Sequence, residues 1–486
     1  MNTPVAPAVV RGEVVQADLV PFGGRDGDSV FRAPDPRALV HRLPLLDRGA
    51  LSDLAALSTD DILDLLEALG EALELKRNGY LQEALTWSYE FAPVTPSLMH
   101  AQYASLGRLF NRALLEDIVS DVGREALDGW SCRTLADGRA RRIRAFGARA
   151  VHVVAGNSPF VSAASLVRSA LTRGDAVFKA PSNDPFTATA IARTLIDLAP
   201  DHPLTRHVSV AYWKGGDATA EDTLYQPAHF DKIVAWGGLA SVRHVVRYVR
   251  PGLELVTLDP KRSVSIIGTA AFLDETVLDE VALRLATDVG ALNQEACANA
   301  RVVFVQCGTN ATGLRKLEEL AHRVYARLRA LPAHVSTPAR GGLGLELRAH
   351  LQAALLNDTW FSVIGGDEEE GAVVVSKLPE PVDFAPHLRD RVTNLVPVDD
   401  MAAVWPHVDA WCQTVGVYPD ALAITLRDDL AFRGAQRIVS LGYALSSGFA
   451  GPQDGIEPVR RLCRWVVHEQ CEPTVVEPVW VRGVGA

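Results

Sequence analysis

Hydrophobic positions change their period along the chain. Between residues 50 and 130 they recur at helical spacing, and Ile62, Leu65, Leu66, Leu69 and Leu73 share one face. Ser58-Thr59-Asp60-Asp61, just before that stripe, can cap the helix. The stripe itself reads as core packing. From about residue 148 short β-branched runs alternate with helical stretches. The runs are 150–154, 175–179, 208–213 and 232–235, with a helix over 161–173 that Gly174 ends. A second set covers 263–267, 300–307, 372–376, 392–398 and 421–426, with a long helix around 312–330. This alternation predicts βαβ units and two parallel-sheet α/β domains behind a helical N-terminal region. The boundary is expected in the loop-like stretch 251–260, which carries two prolines and a glycine. Residues 1–36, rich in Pro, Gly and charge, read as an extended arm. Residues 448–455 read as a turn-rich loop, followed by Trp465-Val466-Val467 and a final short strand over 475–481.

Composition narrows the function classes. The 486 residues carry a net charge of −11, and no basic run could track a phosphate backbone, so nucleic acid is not an expected partner. No apolar stretch approaches the ~18 residues of a membrane span. The N-terminus lacks a charged segment followed by a long apolar one, so no signal peptide is read. The six cysteines are sparse, form no Cys-x-x-Cys pair and have no zinc-ligand spacing, so no metal site is expected. A cytoplasmic protein with reduced thiols fits this usage.

Two segments carry candidate chemistry. Cys297 follows Asn293-Gln294-Glu295-Ala296 and precedes the strand-like run Val302-Val303-Phe304-Val305. Far upstream lies Val153-Val154-Ala155-Gly156-Asn157-Ser158-Pro159. A thiolate can attack an acyl carbon while the Asn157 amide binds the oxygen that becomes negative. On spacing alone Cys297 would be a small buried hydrophobe, as free cysteines usually are. The other cysteines lack such flanks and read as filler. Gly341-Gly342-Leu343-Gly344 is the nearest approach to a dinucleotide fingerprint, but no strand clearly precedes it.

The flanks decide the reading. Asn293-Gln294 before Cys297, and Arg301-Val302-Val303 after it, resemble the nucleophile segment of the aldehyde dehydrogenase superfamily. The closest resemblance within it is to the fatty acyl-CoA reductases of bacterial luminescence systems. Three further segments carry it: 144–159, Val234-Ala235-Trp236-Gly237-Gly238, and Asp259-Pro260-Lys261-Arg262-Ser263. It spans roughly residues 50–470 in the family's order. It implies an aldehyde dehydrogenase-like fold: a cofactor-binding domain over 37–256, a catalytic thiol domain over 257–445, and a segment 446–486 that packs back or helps build a homo-oligomer. It also implies a nicotinamide cofactor, NADPH or NADH. Lys179, ending a strand before Ala180-Pro181-Ser182, matches the superfamily's ribose-contacting Lys, and Ser182 follows one insertion later. Trp236-Gly237-Gly238 resembles the turn that holds the cofactor diphosphate, where glycines let backbone N–H groups approach phosphate.

Departures from the pattern set the direction of the reaction. Typical members carry a Glu that activates water against the thioacyl-enzyme. The matching place here is Leu258, with Asp259 only close by. The superfamily's second Glu, which orients the nicotinamide ribose, is also not visible; Arg391-Val392-Thr393-Asn394 stands near its place. A reductase must avoid hydrolysis, so the missing Glu favours NAD(P)H-dependent reduction of an acyl-CoA or carrier-bound thioester to an aldehyde through a thioacyl-Cys297. The alternative is a dehydrogenase running oxidatively, with Asp259 or another carboxylate as base. The resemblance further implies an acyl-activating synthetase as partner.

Overall fold

A computed structural model gives the fold. It describes residues 3–24, 29–92, 94–366, 370–446 and 448–481. Two seven-stranded sheets dominate. In the first, Glu254–Leu258, Lys232–Trp236, Arg149–Val153, Asp175–Lys179 and Val208–Ala211 run parallel in that spatial order. Arg149–Val153 and Asp175–Lys179 are buried at every position, as strands covered on both faces must be. The helix Pro159–Leu171 lies between them in sequence, with Pro159 at its first turn and Ser158 as N-cap. The stretch expected as an extended arm is extended but packed. Ala8–Val10 is buried and pairs antiparallel with Val208–Ala211 and Glu13–Val15, and Leu19–Gly23 pairs with Val30–Pro34.

The second sheet has the order Phe361–Gly365, Ala372–Ser376, Val392–Pro397, Ala300–Val305, Arg262–Ile267, Cys412–Tyr418 and Arg437–Ser440. All pairs are parallel except the one made by Phe361–Gly365. Helices Glu275–Gly290 and Ala311–Arg329 cover one face around Val281, Leu285, Leu317 and Leu320. A third, antiparallel sheet joins Ser131–Thr134, Ala140–Gly147 and the C-terminal strand Cys463–Gln470. The N-terminal helices form as the stripe predicts. Ser58 and Asp61 build a capping box for Thr59–Ala72, which buries Ile62, Leu66 and Leu69.

Three expectations need correction. Residues 421–426 are not a strand but part of the helix Asp420–Arg433, which Gly434 ends in a left-handed conformation; the strand at this place is Cys412–Tyr418. The stretch 251–260 is not all loop, because Glu254–Leu258 forms the edge of the first sheet. Residues 475–481 form turns rather than a strand: Val475 and Val476 bond back to Glu472, and Val481 to Pro478.

Candidate active site

The loop before Cys297 is held by amide side chains. Leu292, Asn293 and Gln294 all adopt left-handed backbone angles, with φ of 54°, 53° and 66°. Three such residues in a row persist only where surrounding contacts fix them. Asn293 accepts from the Thr337 backbone N–H at 2.8 Å and donates to Thr337 Oγ1 at 3.0 Å. Gln294 donates to the carbonyls of Ala300 and Val392, both at 3.0 Å, and accepts from Val392 N–H at 3.1 Å. Asn299 donates to the carbonyls of Asp288 and Ala291 and accepts from Ala296 N–H, each at 3.0 Å. Asn293 and Gln294 therefore act as braces, and this is what the sequence flank encodes.

Cys297 is half-buried at the head of Ala300–Val305. Ser263 Oγ donates to its carbonyl at 2.7 Å. Burial and the Asp454 carboxylate push its thiol pKa up, while the Gln413 amide, its own backbone N–H and the Arg301 guanidinium favour the thiolate. Cys307, Cys412 and Cys463 are pushed up to about 12, chiefly by burial, and so are poor nucleophiles.

Asn157 comes to the same place from the first sheet. It follows the strand Arg149–Val153, and Asn183 Nδ2 ties the preceding Gly156 carbonyl at 2.9 Å. Asn157 Nδ2 donates to the Glu295 carbonyl at 3.3 Å, two residues before the thiol. The structure thus brings Asn157, from the first sheet, against the loop that carries Cys297.

The expected cofactor residues gather at the carboxyl ends of the first sheet's strands. Its order reverses between Arg149–Val153 and Lys232–Trp236, and such a switch point leaves a crevice. Lys179 and Trp236 end strands two spacings apart, about 10 Å. Lys179 is buried, and that burial pulls its pKa down to about 8. Its ammonium lies over Tyr212 and Trp213, 5.6 and 5.7 Å from the ring centres. Ser182 sits half-buried in the turn after that strand. Trp236 stacks under the Arg168 guanidinium at 5.4 Å. Gly237 and Gly238 lead into Leu239–Val246, whose first turn has no side-chain cap, and a Cβ at Gly238 would meet open space. Uncapped N–H groups beside open space, with a buried Lys across the crevice, fit an anionic dinucleotide.

Leu258 is buried and lines a small cavity with His152, Arg168 and Trp236. Asp259 lies 3.7 Å from the Lys261 ammonium. No carboxylate occupies the Leu258 position.

A family model described as "Acyl-CoA reductase (LuxC)" matches residues 54–465. The chain belongs to that family. It is therefore an acyl reductase, an oxidoreductase. A long-chain acyl-protein thioester reductase of Aliivibrio fischeri is 28% identical over 86% of this chain and 84% of its own length. Another, from Vibrio harveyi, is 26% identical over 96% and 93% respectively. Among solved structures, the aldehyde dehydrogenase KauB of Pseudomonas aeruginosa superposes with a TM-score of 0.73 at 14% identity, covering 97% of each chain. The NADP-dependent glyceraldehyde-3-phosphate dehydrogenase of Bacillus halodurans, complexed with NADP, gives 0.71 at 12%, covering 97% of this chain and 99% of that one. At these identities the likeness is one of fold, and the fold is that of the aldehyde dehydrogenases. The acyl reductase also holds groups that the sequence reading missed. Gln413, Asp454 and Arg168 surround the thiol and the Leu258 cavity. The only sequence signal for Asp454 is the Asp-Gly turn pair within the 448–455 loop.

Proposed function

We propose that this acyl reductase converts an acyl thioester, carried by coenzyme A or a carrier protein, to an aldehyde. Cys297 and Asn157 are the catalytic groups. The Cys297 sulfur attacks the thioester carbonyl, the C–S bond to the carrier breaks, and the carrier thiol leaves. Asn157 Nδ2 and backbone N–H groups hold the oxygen that becomes negative. Lys179, Ser182, Trp236, Gly237 and Gly238 hold the nicotinamide cofactor, NADPH or NADH, which supplies hydride when bound. Hydride accepted at the acyl carbon leaves a thiohemiacetal oxyanion held by Asn157; C=O re-forms as the C–S bond to Cys297 breaks, which frees the aldehyde and the Cys297 thiolate.

The observation that carries this reading is the meeting of Asn157 with the Cys297 loop; it is supported by the Leu at the position the resemblance matches to the water-activating Glu. Without a base there, a thioacyl group is not lost to hydrolysis. The relatives' shared name supports a long acyl chain. On this reading residues 37–256 serve the cofactor and 257–445 the thiol. The segment 446–486 contributes the strand Cys463–Gln470, which packs back on Ala140–Gly147; that three-stranded sheet, with exposed Trp130 and Val467 beside it, supports a homo-oligomer. Six unpaired cysteines support a reducing, cytoplasmic setting, where a synthetase activates the acids. The test is cofactor oxidation with NADPH and NADH over acyl-CoA esters of increasing chain length and one carrier-bound ester. Aldehyde should form with wild type and not with Cys297→Ser. Aldehyde formation by the variant would overturn the assignment.

A further inference from the structure

The C-terminal loop brings a carboxylate to the nucleophile, and the loop is fixed at three points. Arg168 Nη2 donates to the Phe449 carbonyl and to Gln453 Oε1, both at 2.9 Å. Gly451 N–H donates to both Asp121 oxygens, at 3.0 and 2.9 Å. Gln453 and Ile456 close a tight turn through mutual backbone bonds of 2.9 and 3.0 Å. Asp454 and Gly455 form its tip, with φ of 54° and 78°. Asp-Gly suits such a reversal, but a non-glycine residue at positive φ still needs support from its surroundings.

That support comes from Gln413. Its Nε2 donates to Asp454 Oδ1 at 2.6 Å. Gln413 is buried at the head of Cys412–Tyr418, next to the strand Arg262–Ile267. The same amide favours the thiolate form of Cys297, against the burial that raises its pKa. Its neighbour Thr414 donates from its N–H to Ser263 Oγ at 3.1 Å, and Ser263 holds the Cys297 carbonyl. The heads of two adjacent strands therefore hold the Cys297 backbone and carry the Gln413–Asp454 pair beside it.

We propose that Gln413 and Asp454 are a positioning pair for Cys297. Asp454 fixes the orientation of the Gln413 amide beside the loop that carries Cys297, and sets its own carboxylate there. This rests on Cys297 being the nucleophile. Acylation loses the Sγ–H proton while the departing thiolate takes one up, so a protonated resting thiol adds no net proton to the step. The other charged groups acting on the pair are Arg301 and Arg437 toward the thiol, and Lys261, Asp259 and Arg168 toward Asp454. Glu295, in the thiol's own loop, acts on Arg301.

The experiment alkylates the full-length enzyme with iodoacetamide across a pH series and reads the Cys297 peptide by mass spectrometry. Asp454→Asn keeps the acceptor oxygen but removes the charge. Its alkylation midpoint should fall by about one pH unit, which raises the thiolate fraction near neutral pH by roughly tenfold. Gln413→Leu removes the donor, and its midpoint should rise above wild type. A loosened loop would instead pull both midpoints down toward the ordinary thiol value. Opposite shifts support the pair; unchanged midpoints, or shifts of one sign, overturn it. The alkylation reads the thiol whether or not an acyl group ever forms there. A failure here is thus separable from failure of the nucleophile assignment, which acyl-adduct mapping tests.

Discussion

On the proposed reading, removing the Asn157 amide isolates its contribution to holding the oxyanion. In the resting enzyme Nδ2 makes one long bond, 3.3 Å, to the Glu295 carbonyl, and the buried Oδ1 has no hydrogen-bond partner. A net hydrogen bond stabilises by about 1 kcal/mol, and this one is longer than the usual 2.9–3.0 Å. Asn157→Ala should therefore cost well under ~1 kcal/mol of stability, partly offset by losing an unsatisfied buried acceptor. The fold around it does not depend on the amide, because Ser158 caps the following helix and Asn183 ties Gly156. The transition state is different, since loss of one oxyanion donor costs about 10²–10³-fold in kcat, or roughly 2.7–4 kcal/mol. Single-turnover aldehyde formation from acyl-enzyme reads that step, with cofactor Kd and Tm as controls. The expected pattern is a large rate loss, an unchanged Kd and a Tm within about two degrees of wild type. A rate loss under about threefold would show that Asn157 is only a turn residue.

The remaining predictions probe the cofactor crevice, the Leu258 cavity and the fold. Lys179→Ala should weaken cofactor binding more than it slows chemistry and should narrow any preference for NADPH; an unchanged Kd would remove Lys179 from the site. The Lys179 pKa of about 8 means its charge is present below that pH and lost above it, so the Kd for NADPH should rise between pH 7 and 9, more than that for NADH. Leu258→Glu places a carboxylate beside Arg168, whose Nε and Nη1 are buried without partners. It should speed thioacyl hydrolysis by about tenfold, less than a full general base gives, because the cation holds the carboxylate pKa down. Release of free acid in the absence of cofactor is the readout. Gly147→Ala would set a Cβ 1.7 Å from the Arg173 carbonyl, and denaturant unfolding should show a loss of more than about 2 kcal/mol.

Much of the architecture is written in local periodicity. Asp175–Lys179 and Ala372–Ser376 are short apolar runs buried on both faces, and their observed bounds match the expected ones. Residues 421–426 show where that signal fails. The run Ala421-Leu422-Ala423-Ile424-Thr425-Leu426 suits a strand over six residues, but helical turns continue to Arg433, where Gly434 caps them eight residues past the run. Residues 475–481 are rich in Val and Trp, yet Pro478 interrupts them and, among the described residues, no strand pairs with them. Asn157 and Cys297, whose loops the structure brings together, each sit in a distinctive local run. Gln413, Asp454 and Arg168 do not. Their roles arise only when a strand head, a hairpin tip and a helix from distant parts of the chain meet, and nothing in their own flanks records that meeting.

The central claim is a thioacyl intermediate on Cys297 that water does not discharge. Mixing the enzyme with a long-chain acyl-CoA, with no nicotinamide present, tests it directly. Thiol release should show a burst of about one equivalent per chain and then a slow steady rate, and the acyl mass should map to the Cys297 peptide. Adding an exogenous thiol should restore turnover. An adduct on Cys132 or Cys307 would contradict the assignment of the nucleophile. Rapid continuous hydrolysis would contradict the reductase account and point to a working base, with Asp454 and Asp259 the carboxylates to replace first.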